Sequence, residues 1–374
     1  MLSKVLISVL VLHICNAYNN ANHSSDCILV RSCPEAIRFA GNGNDKEKNK
    51  KLTSSFCGIE IVDGKKLPKI HCSHFRTTDD RSAFTNESPD DAIETHPNLK
   101  LLPEKCGKIN GDRIIGGKVA DLYEFPWMAL ISHRTRGGPG SKDSLKFKCG
   151  GSIINSKYIL TAAHCVVGKK LAGVRIGELD IDSKEDCQGE YPDIVCEGHL
   201  QDILIEEVIA HEGYQRLPVK DDIALLRLRK PIDFSYKNAA PICLPVSQRL
   251  RNAVLDSKIA TVAGWGITDN GSESHVLLKV DVPVFTTTAC RDLYNKNSNT
   301  DTTINKICAG EMKKDSCSGD SGGPLMVEDE INDVYRIVQY GIVSYGPLQC
   351  GSLFPGVYTN VSSYVKWILD NIKP

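Results

Sequence analysis

The cysteines restrict what this chain can fold into more than any other feature. Fifteen occur in 374 residues, and their spacing fits no zinc pattern, with no Cys-x-x-Cys among them. One of them, Cys15, falls in a segment built like a secretory leader. Lys4 supplies the positive end, Val5 to Ile14 the apolar stretch, and Cys15-Asn16-Ala17 a small-residue cleavage site. Removal of residues 1–17 leaves a chain starting near Tyr18 with fourteen cysteines, enough for seven bridges in an oxidising compartment. A soluble, secreted, disulfide-braced protein is therefore expected. The leader's apolar run is too short to span a bilayer, and no later segment is long and apolar enough. Asn22, Asn86, Asn270 and Asn360 each open an Asn-x-Ser/Thr sequon, compatible with a secreted glycoprotein. A formal net charge of -1 argues against nucleic-acid and membrane-surface partners, and the charged run from Asn44 to Lys51 reads as a solvated loop.

Three regions follow the leader. Residues 18–72 hold Cys27, Cys33, Cys57 and Cys72 but few large apolar residues, so bridges must supply much of their stability. Residues 73–105 carry no cysteine and are rich in Asp, Thr, Ser, Asn and Pro, which predicts a flexible linker. From Ile114 onward short apolar runs alternate with Gly and Pro. Phe125–Ser132, Gly151–Ile154, Tyr158–Thr161, Asp222–Leu228, Ile259–Trp265, Leu277–Phe285 and Tyr335–Ser344 are predicted strands of a closed or nearly closed β architecture. One helix is predicted, over Ser362–Ile372, with Tyr364, Val365, Ile368 and Ile372 on one face.

Three motifs carry chemistry. In Gly319-Asp320-Ser321-Gly322-Gly323-Pro324 the glycines let the backbone turn sharply around a serine, whose hydroxyl needs a neighbouring base to become a nucleophile. Thr161-Ala162-Ala163-His164-Cys165 follows a predicted strand and presents one histidine among small residues. Asp221-Asp222-Ile223-Ala224-Leu225-Leu226 puts an acid immediately before a buried apolar run. Each alone reads as structural; all three, in the order His, Asp, Ser, match a hydrolytic triad.

With these motifs, the region from Ile114 to the C-terminus resembles the chymotrypsin-like serine peptidases, trypsin type. The resemblance implies an all-β fold of two six-stranded antiparallel β-barrels with a C-terminal helix, the active site lying between the barrels. It implies that Ser321 is the nucleophile, His164 the general base and then acid, Asp222 the group that orients the imidazole, and the amides of Gly319 and Ser321 the oxyanion hole. The family's Asp-Ile-Ala-Leu motif selects Asp222 over Asp221, which is expected to face solvent. Asp315, six residues before Ser321, matches the floor of the primary specificity pocket and implies cleavage after Arg or Lys. Gly346 and Gly356 match the pocket walls, and Ser344-Tyr345-Gly346 the segment that pairs with substrate backbone. Arg113-Ile114-Ile115-Gly116-Gly117 resembles the activation junction: cleavage after Arg113 would free the Ile114 amine to pair with Asp320 and order the site. Residues 73–113 thus comprise linker and activation segment, and 114–374 the peptidase domain.

The same resemblance implies the pairs Cys149–Cys165, Cys290–Cys308, Cys317–Cys350 and Cys106–Cys243, the last keeping the N-terminal part attached after cleavage. Cys187–Cys196 is implied by similarity to the arthropod clip-domain peptidases. Residues 18–72 resemble a clip domain with one departure: the first of its usual six cysteines is absent, and His71 stands at the position of that cysteine's partner. The remaining expected bridges are Cys27–Cys57 and Cys33–Cys72. The resemblance also implies calcium in the loop from Glu178 to Glu190, with Glu178 and Asp180, and further Asp182 and Glu185, as oxygen donors; a solvated acidic loop is the alternative. Catalysis requires no cofactor.

The reading is a secreted, extracellular zymogen of an innate-immune cascade, of melanisation or Toll type. Its partners are protein precursor substrates, an upstream activating trypsin-like protease and serpin inhibitors. The rivals are a venom enzyme, a digestive trypsin and a catalytically silent binding cofactor.

Overall fold

The computed structural model describes residues 27–29, 54–62, 65–71, 74, 91–109, 118–135, 144–267, 272–294, 305–310, 319–346 and 355–374. The chain divides into two compact units, Met1–Glu87 and Ser88–Pro374. In the first unit, Lys65–His71 is the central strand of an antiparallel sheet, flanked by Cys27–Leu29 and Phe56–Val62. Cys27 lies opposite His71 in the register, and the pairing shifts around Cys57, between Phe56 and Gly58. Cys57 is disulfide-bonded. Ser55 and Ile70 are buried, a small core for which cross-linking is the natural supplement.

The apolar runs of the second unit become strands covered on both faces. Every residue of Tyr158–Thr161 is buried, as an uninterrupted apolar run predicts. Six strands, β1 (Met128–Thr135), β2 (Ser144–Asn155), β3 (Tyr158–Thr161), β4 (Leu171–Ile176), β5 (Gln201–Ala210) and β6 (Ala224–Leu228), close a barrel in the order β5-β6-β3-β2-β1-β4. Trp127, Ile131, Ile153, Leu160, Ile176 and Leu225 fill it. A second set, β7 (Ile259–Gly264), β8 (Leu278–Pro283), β9 (Lys306–Ala309), β10 (Pro324–Ile331), β11 (Val334–Tyr345) and β12 (Gly356–Asn360), runs in the order β9-β12-β11-β10-β7-β8. A bridge between Val284 and Ala309, with Phe285 N–H donating to Cys308 O at 2.8 Å, brings the end of β8 back to β9 and closes the circuit. All pairings in both sets are antiparallel. Full closure leaves few edges to protect. The fold is therefore two six-stranded barrels, with the two-residue strand Lys118–Val119 added antiparallel to β8 as a seventh member of the second sheet.

Five of the twelve strands, β4, β5, β9, β10 and β12, lie outside the runs picked from the sequence. Strand β5 shows why: Glu206 and Glu207 split its apolar residues into two three-residue runs, Ile203–Ile205 and Val208–Ala210, each too short to stand out as a strand. The C-terminal helix forms as expected, as a 3-10 turn over Val361–Tyr364 continued by α-helix over Val365–Asn371. Tyr364, Val365, Ile368 and Ile372 are buried in the first barrel's core.

The linker expectation is corrected over its second half. Asp91–Glu94 forms a helical turn and Pro97–Leu101 a 3-10 turn. Asn98 Nδ2 donates to Leu369 O and Ile372 O at 2.9 and 3.0 Å, satisfying carbonyls that the end of the last helix leaves unpaired. Ile93 is buried, and Leu99, Leu101 and Leu102 pack on the same core. A polar composition concealed this docking, which rests on a few well-placed apolar side chains.

Candidate active site

Strand β3 ends at Thr161 and the chain turns through Ala163–Cys165, which sets His164 at the barrel's rim. Ala162 and Ala163 have no exposed surface, so small side chains are what fit. The Cys149–Cys165 bridge ties this turn to β2. Asp222, just before β6, is fully buried. Its Oδ2 accepts from His164 Nδ1 at 2.8 Å and from Ser344 Oγ at 2.5 Å, and its Oδ1 accepts from His164 N–H at 2.9 Å. Thr359 Oγ1 donates to the Asp222 carbonyl at 2.8 Å. Burial acts to raise the Asp222 pKa, but the hydrogen bonds and charge of His164, with Ser344, outweigh it and hold the carboxyl below its usual range. Asp221 is not solvent-facing as expected. It is half-buried, with φ 48°, and accepts from Tyr364 OH at 2.7 Å.

Ser321 and His164 line one cavity. They are not hydrogen-bonded to each other; Cys165 Sγ lies 3.7 Å from His164 Nε2 and 3.6 Å from Ser321 O. Ser321 O also accepts from Gly150 N–H at 2.9 Å, which joins the two barrels at the nucleophile loop. Gly319 and Gly322 have φ of 108° and 81°, and a Cβ on Gly322 would lie 2.2 Å from Thr161 Oγ1. Only glycine permits that turn. Among the described residues, the N–H groups of Gly319 and Ser321 have no protein acceptor. Asp320 Oδ1 accepts from Gly266 N–H at 2.9 Å. A Cβ on Gly346 would lie 3.8 Å from Gly356 Cα, so these two glycines face one another. Asp315, Arg113 and Ile114 lie outside the described residues.

Cys106–Cys243, Cys187–Cys196 and Cys290–Cys308 are bridged, beside Cys149–Cys165. Cys317–Cys350, Cys33–Cys72, the side chain of Cys27, and the sequons at Asn22, Asn86 and Asn270 fall outside the description. Asn360 is half-buried, and its Oδ1 accepts from Ser362 N–H, capping the last helix.

In the acidic loop the buried carboxylates are Glu178 and Asp186; Asp182 and Glu185 are exposed and Asp180 is half-buried. Leu179 N–H lies 3.2 Å from Glu178 Oε1 and 3.2 Å from Asp186 Oδ2, so one amide brings both acids together. Burial first, then the Asp186 charge, pushes Glu178 up to about 7. Glu178 Oε2 also accepts from Arg175 Nη1 at 3.3 Å, which offsets one charge, and the carboxylate oxygens of the pair are the ligand type a hard cation takes. Asp186 had not been singled out by sequence, nor had Thr359 or Lys306. Lys306 Nζ is buried without a hydrogen-bond partner, 5.6 Å from the centre of the Tyr345 ring. No local pattern marks these three; packing alone assigns them.

Two closed barrels with a histidine, a buried acid and a serine meeting at one cleft define a serine endopeptidase of the chymotrypsin-like class. The trypsin family's sequence profile matches residues 114–368. The chain is 37% identical to CLIP domain-containing serine protease HP8 of Bombyx mori, over 99% of this chain and 98% of that one. It is 36% identical to melanization protease 1 of Drosophila melanogaster, over 94% and 91%. The crystal structure of Drosophila Grass, a clip serine protease of the Toll pathway, superposes with a TM-score of 0.62 at 30% identity, covering 95% of this chain and 97% of that one. The chain belongs to the clip-domain serine peptidases of the trypsin family.

Proposed function

We propose that this chain is the secreted zymogen of a trypsin-like endopeptidase, which cleaves protein precursors after Arg or Lys in an extracellular cascade of melanisation or Toll type. The observation that carries the chemistry is the buried Asp222 carboxylate bonded to His164 Nδ1 at 2.8 Å, in a cleft shared with Ser321. That bond leaves Nε2 as the proton acceptor. Ser321 Oγ attacks the scissile carbonyl carbon while its proton passes to His164, and Asp222 stabilises the imidazolium. The carbonyl oxygen, now negative, is received by the N–H groups of Gly319 and Ser321; losing one such donor costs roughly 3 kcal/mol. His164 returns the proton to the departing amine. Water then repeats the sequence and releases the acyl half.

The cascade role is supported by relatives whose names record melanization and the Toll pathway. Activation is assigned to cleavage after Arg113, with the Ile114 amine pairing with Asp320. The family match assigns Asp315 to the floor of the primary specificity pocket and Gly346 and Gly356 to its walls, so a long cationic side chain is selected. An upstream trypsin-like protease supplies the activating cut, and serpins are the expected inhibitors. Glu178 and Asp186 would hold calcium, which would neutralise a buried acid pair beside the loop closed by Cys187–Cys196.

The test is amidase activity on matched Arg, Lys and Phe substrates before and after cleavage at Arg113, with Ser321→Ala as control. Cleavage of the Arg and Lys substrates only after processing is expected. An inert processed enzyme would refute the peptidase assignment, and preference for Phe would refute the role of Asp315.

A further inference from the structure

The cavity that contains His164 and Ser321 has a volume of about 530 Å³, within the range of sites that enclose a ligand. Its charge is one-sided. Arg134 comes from the end of β1, Lys148 from β2, and Lys169 and Lys170 from the turn that follows His164. No acidic residue is among the described residues that line it. All four cations are exposed, and none forms an ion pair with a described residue. The two segments that carry them are fastened together: Arg134 N–H donates to Lys170 O at 2.8 Å, and His133, buried beneath, has its Nε2 2.9 Å from Cys165 O. This concentration of positive charge stands in a chain whose formal net charge is -1.

The side of the nucleophile on which these cations sit decides what they meet. The residues assigned to the acyl half of the substrate, Ser344, Gly346 and Gly356, belong to the second barrel. The cavity's lining comes from the first barrel, with Ser321 alone from the second. A chain threaded past Ser321 therefore places the residues after the scissile bond among Arg134, Lys148, Lys169 and Lys170. A cleft lined by one sign of charge concentrates the field of its cations and draws opposite charge to the reacting centre.

We propose that these four cations set specificity on the leaving side: the natural substrate carries Asp or Glu within the first three residues after the cut. The proposal rests on the peptidase reading above and adds a second determinant to the pocket that selects Arg or Lys. The expected preference is about tenfold in kcat/KM for acidic over neutral residues, about 1.4 kcal/mol, the size of two exposed ion pairs.

The experiment uses the full chain processed after Arg113. Three internally quenched peptides share the sequence through the cleaved Arg and continue with Gly-Glu-Glu, Gly-Gln-Gln or Gly-Lys-Lys. The order acidic, neutral, basic is expected, with about tenfold between neighbours, compressed in 0.5 M NaCl by screening. In Lys148→Gln/Lys169→Gln/Lys170→Gln, whose positions are exposed, the ratio should fall to within about threefold of unity. Equal rates on the three peptides, or a preference that survives intact in the triple variant, would overturn the proposal. An Arg anilide, which has no residues beyond the cut, is assayed in parallel. If the processed wild type fails to cleave it, the peptidase reading itself falls and takes this proposal with it. Activity on the anilide with parity on the peptides overturns this proposal alone.

Discussion

Ser344→Ala removes one of three donors from the Asp222 carboxylate and nothing else from its surroundings. The carboxylate is fully buried, so water does not replace the lost hydroxyl. A hydrogen bond to a charged group is worth about 1.5–3 kcal/mol, and a domain of this size shifts its Tm by about 2–4 °C per kcal/mol. The variant should therefore melt about 3–12 °C lower at pH 7. The sign with pH follows from the direction of the shift. The folded-state pKa of Asp222 lies below its unfolded value of 3.8, so the stabilisation is complete above that value and is lost as pH falls through the folded pKa. The deficit should be constant from pH 7 to 5 and shrink only as pH falls through the lowered folded-state pKa, below 3.8. The assay is thermal unfolding from pH 3 to 8, with Ser321→Ala in both proteins to prevent self-digestion. No deficit at pH 7, or a deficit that grows as pH falls, would refute the view that this hydroxyl stabilises a buried charge.

Asp222→Asn should retain the fold yet lose about 10⁴-fold in kcat, the loss seen in the template enzyme of this mechanism; activity within tenfold of wild type would contradict the assigned role. Millimolar calcium should raise the Tm of the wild type, by the equivalent of about 2.7 kcal/mol at a hundred times Kd, but not that of Glu178→Gln/Asp186→Asn; an identical response in both would place the ion elsewhere. Lys306→Met should stabilise the protein at pH 7 by about 1–3 kcal/mol, since it removes an unpartnered buried ammonium. Burial lowers the pKa of Lys306, with the charges of Asp222 and Asp221 acting in the opposite direction. The folded state therefore carries a penalty below the lowered pKa that fades as pH rises towards 10.5, and the gain should be smaller at pH 10. A lower Tm at pH 7 would show that the cation is stabilising where it stands.

Residues 162–165, 222–226 and 319–324 identify themselves by local order, because a nucleophile on a glycine turn, a histidine among small residues and an acid before an apolar run are each short-range requirements of the chemistry. The helix at the C-terminus and strands such as Tyr158–Thr161 were legible for the same reason: their burial pattern repeats along a few consecutive residues. What local order could not contain is pairing across the fold. Asp222 takes its third donor from Ser344, 122 residues away, and its carbonyl takes a partner from Thr359. Asn98 finds the carbonyls of Leu369 and Ile372 across more than 270 residues, which turns a polar segment read as linker into part of the domain. Strand β5, its apolar residues split by Glu206 and Glu207, is defined as one ten-residue strand by its pairing with β6 and β4 on either side. The cations at positions 134, 148, 169 and 170 are ordinary surface residues in sequence. They become a single charged wall only when the closed first barrel gathers its strand ends and turns beside Ser321. The motifs determine the reaction, and the barrels determine what surrounds it, because charge and burial depend on distance in space and not along the chain.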